Sequence, residues 1–117
     1  MTVVLYGIPN CDTVKKARTW LEENGFNPEF HDFKKKGITA AKLNEWCDVF
    51  GWEQVLNKKG TTWRALSPDV QKNVTDQKTA VEVLLQNNSA IKRPVIEVDG
   101  KPVLISFNEE QYRSVLK

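Results

Sequence analysis

The sequence contains no apolar run that approaches the roughly 20 residues needed to span a bilayer, and it lacks a basic-then-apolar opening of the secretory type. A soluble, cytoplasmic protein with no membrane partner is the expectation. Cysteine is scarce. Cys11 and Cys47 stand far apart, with no Cys-x-x-Cys pair and no metal-ligand spacing, so neither a disulfide framework nor a zinc site is indicated. Charge of one sign is missing too: Lys and Arg number 17 against 15 Asp and Glu, a net charge of +2. That balance does not make the basic footprint of a protein that binds nucleic acid directly. The one basic run, Lys34-Lys35-Lys36, is read as a solvated turn before Gly37 in preference to an anion-binding patch. Internal repeats and low-complexity stretches are absent. What remains is 117 residues, the size of one domain able to bury a core without disulfides or a structural metal.

The stretch on which the rest is organised is Val3-Val4-Leu5-Tyr6-Gly7-Ile8-Pro9-Asn10-Cys11-Asp12-Thr13-Val14. It reads as a buried strand, a tight turn and a helix, with Asn10 as the expected cap and Val14, Ala17 and Leu21 at helical spacing. Cys11 then lies among unpaired backbone N–H groups, whose dipoles favour an anion and bring the thiol below the free-cysteine value of about 8.5. A lone thiol is more often buried and inert. Here the turn chemistry favours a reactive one.

Further along, Gly25 ends a first helix over residues 11–24, and residues 26–33 return as a second strand parallel to the first. Thr39 is placed to cap a second helix that puts Leu43, Trp46, Cys47 and Phe50 on one apolar face and ends at Gly51. Cys47 is therefore read as core packing. Residues 52–56 form another helical turn, broken at 57–60, and Ser67-Pro68-Asp69 opens a third helix with hydroxyl, proline and acid in order. A helix over residues 76–86 is expected to bury Val81, Leu84 and Leu85. The middle of the chain is thus all helical. Asp99-Gly100 between two apolar runs marks an antiparallel hairpin, and Pro102 places the second of its strands at the sheet edge. Asn108 with Gln111 resembles a capping box for a last helix that buries Tyr112, Val115 and Leu116.

This order is the thioredoxin-like arrangement: α/β, a four-stranded mixed sheet with a helical insertion between strands 2 and 3. As domains, it gives a core of about 1–37 and 89–117 and an insertion of about 38–88. The segments 6–17, Asp32-Phe33-Lys34-Lys35-Lys36-Gly37-Ile38, Gly60-Thr61-Thr62-Trp63-Arg64, Ile91-Lys92-Arg93-Pro94-Val95 and Phe107-Asn108-Glu109 narrow it further. Together they resemble the bacterial ArsC/Spx/YffB family, closest to its YffB branch, over essentially the whole chain.

The resemblance implies that Cys11 is the nucleophile and that Arg64 and Arg93 hold an oxyanion beside it. Guanidinium stays charged, forks its donors toward anionic oxygens and lowers a neighbouring thiol's pKa. It implies as well that Pro94 is the cis proline presenting backbone beside Cys11, with Asn10 and Thr13 completing the substrate site. Members that reduce arsenate carry a histidine four residues before the cysteine, a serine three residues after it and a third arginine downstream. This chain has Gly7, Val14 and Ile105-Ser106-Phe107 there, and Asp12 adds a charge that opposes ionisation. Spx-type regulators usually carry a second cysteine at the position of Val14, and Gly51 aligns with the glycine through which they meet RNA polymerase. The expected function is a monothiol, glutathione-dependent thiol/disulfide reductase, with no bound cofactor and glutathione or another thiol as external reductant. A Spx-like RNA polymerase-binding regulator and an arsenate reductase of low efficiency are the alternatives. Glutaredoxin is a candidate partner, and the chain is expected to be a monomer.

Overall fold

The computed structural model describes residues 1–117, which divide into two compact units, Met1–Lys36 with Arg93–Lys117, and Gly37–Lys92. The first unit holds a four-stranded sheet in the order β2-β1-β3-β4. Strand β1 (Val3–Gly7) runs parallel to β2 (Glu29–Asp32) and antiparallel to β3 (Val95–Val98), and β4 (Lys101–Ile105) closes the edge. Alternation in β1 buries Val3, Leu5 and Gly7 on one face. There Val3 and Leu5 join Ile96, Leu104, the buried stripe Val14, Ala17, Trp20 and Leu21 of α1 (Asp12–Glu23), and Tyr112 of α8 (Glu109–Leu116). Tyr112 meets Trp20 edge-on at 5.7 Å and Phe107 at 4.9 Å, and its phenol donates to the Ser106 carbonyl. Such aromatic pairs add about 0.5–1.5 kcal/mol beyond the area they bury.

The hairpin forms where the sequence places it. Asp99 and Gly100 both adopt positive φ, 51° and 82°, the pair of left-handed residues that a two-residue turn between twisted strands requires. Pro102 lies on the edge strand as expected, although its side chain is buried. Asn108 caps α8 by accepting from Gln111 N–H at 3.0 Å.

In the second unit the elements are all helical: α3 (Ala40–Phe50), α4 (Trp52–Val55), α5 (Thr61–Arg64), α6 (Pro68–Lys72), α7 (Gln77–Gln86) and a 3-10 turn over Asn88–Ala90. Thr39 caps α3 through Lys42 N–H, and Ser67 caps α6 through Val70 N–H. Helix α3 packs against α4 and α7, burying Leu43, Trp46 and Cys47 from one helix and Ala80, Val81 and Leu84 from the other. A bridge between Leu56 and Ile91 closes this unit, supported by Lys92 N–H on the Val55 carbonyl at 2.7 Å.

Several expectations shift. Strand β2 covers four residues instead of eight, because Asp32 accepts from the N–H groups of Lys34 and Lys35 and so starts a short helix, α2 (Phe33–Lys36), where a turn is predicted. Asp76 lies outside α7 as its cap, in a reciprocal box with Thr79. Helix α5 has no strong capping side chain, only Gly60, and was not predicted. Leu85 and Val115 are exposed, not buried, and Phe50 and Leu116 are only half-buried. Apolar spacing alone made those stripes one residue too wide.

Leu104→Ala is expected to destabilise the protein by about 2–5 kcal/mol, the cost of a cavity in a closed core, whereas Leu85→Ala stays within about 0.5 kcal/mol. Chemical denaturation of the two variants checks both. Equal losses would mean that Leu85 is buried after all.

Candidate active site

Because β1 and β3 are antiparallel neighbours with Tyr6 opposite Val95, the chain leaving β1 and the chain entering β3 meet at one end of the sheet. The first carries Ile8, Pro9, Asn10 and Cys11; the second carries Arg93 and Pro94. The Arg93–Pro94 bond is cis, and the Pro94 carbonyl accepts from Ser106 N–H at 2.8 Å. Pro94 is buried, while Arg93 and Cys11 are half-buried.

Asn10 does not cap α1. It takes a left-handed φ of 66°, a conformation asparagine tolerates better than most residues, and thereby moves Cys11 into the N-cap position with extended dihedrals. The Cys11 side chain makes no conventional cap hydrogen bond as a neutral thiol. The site eases its ionisation. Partial burial raises the Cys11 pKa, but the Val14 N–H, the Arg93 side chain as both donor and charge, and the Thr13 N–H together outweigh it. The thiol therefore lies below its ordinary value, and Asp12, exposed at the first helical position, does not offset this. A thiolate in the N-cap position does what a capping carboxylate does for the second and third N–H groups of a helix.

Cys47 shows the opposite case. Burial, with the charge of Asp48, pushes its thiol up to about 11, so at neutral pH it is a protonated core residue. Arg64 lies in the second unit, exposed at the end of α5. Thr13 contributes its backbone, not its hydroxyl, to the shift at Cys11. The sequence reading missed Val14 as a donor; any residue except proline supplies that N–H, so only the cap position could have revealed it. No group of three or more His, Cys, Asp or Glu is arranged to hold a metal ion.

The structure also connects two departures from the arsenate-reducing pattern. A Cβ added at Gly7 would lie 2.9 Å from Val14 Cγ2, closer than real Cβ atoms come to a neighbour, and 3.1 Å from Cγ1, tighter than nearly all such contacts. Val14 is itself 2% exposed. Its methyl groups thus fill the space that any side chain at position 7 would need, so a histidine there requires Val14 or the turn to shift.

At neutral pH an alkylating agent is expected to label Cys11 and leave Cys47 untouched, with a midpoint in the rate-pH profile below that of a free thiol. Arg93→Ala moves that midpoint upward. Peptide mapping and the pH profile decide it, and label on Cys47 would contradict its core position. Gly7→Ala is expected to cost about 1–3 kcal/mol by overpacking and to raise the Cys11 midpoint by displacing the first turn of α1. Adding Val14→Ala should relieve the contact; a Gly7→Ala variant as stable as the parent by denaturation would show that the turn yields freely.

Comparison with known proteins identifies the family. A model of the ArsC family matches residues 6–115. An uncharacterized protein of Haemophilus influenzae is 45% identical over 112 residues, covering 96% of each chain. The global transcriptional regulator Spx of Listeria innocua is 25% identical over 97% of this chain and 86% of its own. Among solved structures, a YffB protein superposes with a TM-score of 0.92 at 46% identity, covering 99% of this chain and 100% of its own. An arsenate reductase (ArsC)-related protein of Brucella melitensis does so at 0.77 and 47%, over 100% and 96%. With the sheet order, the cis proline and the cysteine at the first turn of α1, these likenesses show that the chain belongs to the ArsC family, on its YffB branch.

Proposed function

We propose that this chain is a monothiol reductase of disulfides that uses Cys11 as nucleophile and glutathione as external reductant. The observation that carries the reading is the Cys11 thiol, lowered by Val14, Arg93 and Thr13 against its own burial, in a chain whose other cysteine is pushed up to about 11. One thiol is poised to attack. No cysteine stands at position 14 to resolve the product, so the second thiol comes from outside.

On a mixed disulfide R–S–S–G, where GS is the glutathionyl group, the Cys11 thiolate attacks the glutathione sulfur. The bond to R breaks, Cys11–S–S–G forms, and RS⁻ leaves and takes a proton. A second glutathione thiolate then attacks the bound glutathione sulfur, releasing oxidised glutathione and returning the Cys11 thiolate. The sum is R–S–S–G + GSH → RSH + GSSG. Arg93 stabilises the thiolate at the start and end of each cycle and offers forked donors to an anionic group of the substrate. Pro94 presents backbone beside the sulfur, and Asn10 and Thr13 flank it. Arg64 is proposed as a second anion-holding residue on the family resemblance alone. Glutaredoxin remains a candidate partner for the glutathionylated form, and the catalytic unit is a monomer.

The Spx-like alternative is a regulator that binds RNA polymerase through Gly51.

 That second reading, an RNA polymerase-binding role, is supported by the likeness to global transcriptional regulators named Spx over 97% of this chain. It is supported too by the exposed Gly51, around which no atom lies within 4 Å of an added Cβ. Arsenate reduction at low efficiency is the third. The filled space between Gly7 and Val14 speaks against it, because the histidine of arsenate-reducing relatives would require Val14 or the turn to shift.

Glutathione is expected to add once, at Cys11, with no two-hydrogen loss linking Cys11 to Cys47. Turnover of a mixed disulfide by glutathione is lost in Cys11→Ser and kept in Cys47→Ser. Mass spectrometry and steady-state assay over a panel of oxidants, arsenate included, check this. Polymerase capture without turnover would replace the reading with the second, and turnover confined to arsenate would replace it with the third.

A further inference from the structure

Beside the Cys11 loop, the first unit holds a cleft of about 500 Å³, within the roughly 300–1,000 Å³ of small-molecule sites. Asn10 and Val14 both line it. Asn10 directly precedes the nucleophile, and Val14 N–H is one of the donors that lower its pKa, so the cleft lies beside the loop and first helical turn that carry Cys11, although Cys11 itself does not line it. Its charge is lopsided. Lys15, Arg18 and Lys35 line it against one carboxylate, Asp32. Asp32 is partly committed, since one of its oxygens accepts from Lys34 N–H at 3.0 Å and Lys35 N–H at 3.2 Å. Arg18 is held in place, its guanidinium 5.3 Å above the Phe30 ring and 3.9 Å from Glu22. The ammonium groups of Lys15 and Lys35 are in no ion pair. Lys35 comes from the basic run that the sequence reads as a solvated turn; helix α2 brings it to the cleft instead.

We infer that this cleft is the subsite for the carboxylate-bearing arms of glutathione, with Lys15 and Lys35 as their partners. The inference rests on the glutathione-dependent reading of Cys11. Glutathione carries two carboxylates and one ammonium around its thiol. Three cations and one carboxylate match that pattern, and the excess of positive charge suits its net negative one. When Cys11 attacks glutathione disulfide, the bond between the two glutathione sulfurs breaks, Cys11–S–S–G forms and GS⁻ leaves. The glutathionyl group bound to Cys11 is the one whose carboxylates the cleft holds.

The test is single-turnover formation of the Cys11 mixed disulfide with three disulfides of different charge: glutathione disulfide, neutral 2-hydroxyethyl disulfide and cationic cystamine. Two variants remove equal charge from the same two helices. Lys15→Gln/Lys35→Gln alters the cleft, whereas Lys16→Gln/Lys36→Gln alters residues that do not line it. The ratio of glutathione-disulfide to neutral-disulfide rates is expected to fall about fivefold in the first variant, as suits two exposed charges. The corresponding cystamine ratio rises, and the second variant leaves both ratios near those of the parent. In the parent, about 0.5 M salt should lower the glutathione ratio toward that of the first variant. Equal changes in both variants would reduce the effect to overall charge, and no change in either would remove the subsite; each outcome overturns the inference. Steady-state turnover with glutathione, measured alongside, separates the two readings. Turnover with flat charge ratios sinks the subsite and keeps the reductase, whereas charge-selective attack without turnover sinks the reductase and keeps the subsite.

Discussion

The antiparallel pairing of β1 with β3 is the constraint on which the site depends. Tyr6 opposite Val95 fixes the end of one strand against the start of the other. It thereby brings Cys11, which follows β1, to Arg93, which precedes β3. A one-residue slip would turn Val3, Leu5 and Ile96 out of the core, so register and site geometry stand or fall together. The core formed by Leu5, Ile96, Leu104 and Tyr112 holds the nucleophile in place, although none of these residues is chemical.

The two cysteines show how much the immediate surroundings decide. Each loses solvation on folding, and for each this loss disfavours the thiolate. At Cys11 two backbone N–H groups and a guanidinium more than compensate; at Cys47 the nearby charge is that of Asp48, which adds to the penalty. The lowered pKa of Cys11 is also linked to stability. The folded state binds the thiolate better than the unfolded chain does. This contribution is therefore fully present above the unfolded thiol's value and is lost as pH falls through the lower folded one.

Gly7 and Val14 show how family members with one fold can diverge in chemistry. Positions that look independent in sequence share a single volume between β1 and α1. Valine at 14 offers neither the hydroxyl nor the thiol that the family resemblance implies at that position, and its methyl groups also crowd a side chain at 7. The substitution that leaves Cys11 without a neighbouring polar side chain at 14 keeps the backbone donor at that position. The thiolate is still stabilised, with a backbone N–H in place of a polar side chain at that position.

The sequence by itself determined most of the elements, though not α2 or α5 or the end of β2. The caps at Thr39, Ser67 and Asn108, the Asp99-Gly100 turn and the edge position of Pro102 all follow from interactions within a few residues or from one missing N–H group, so local chemistry suffices to read them. The place of Cys11 at a helix start was legible for the same reason, although the structure leaves it half-buried. Tertiary structure decided the rest. Asn10 ceded the cap to Cys11 because its left-handed backbone lets the loop from β1 join α1 one residue later. Lys35 left a supposed turn for a cleft because Asp32 caps a short helix. Arg93 reached Cys11, and Val14 closed the space at Gly7, because a sheet and a helix brought together segments that the sequence keeps apart. Spacing along a chain encodes contacts three or four residues away; it does not encode which distant side chains must share one volume.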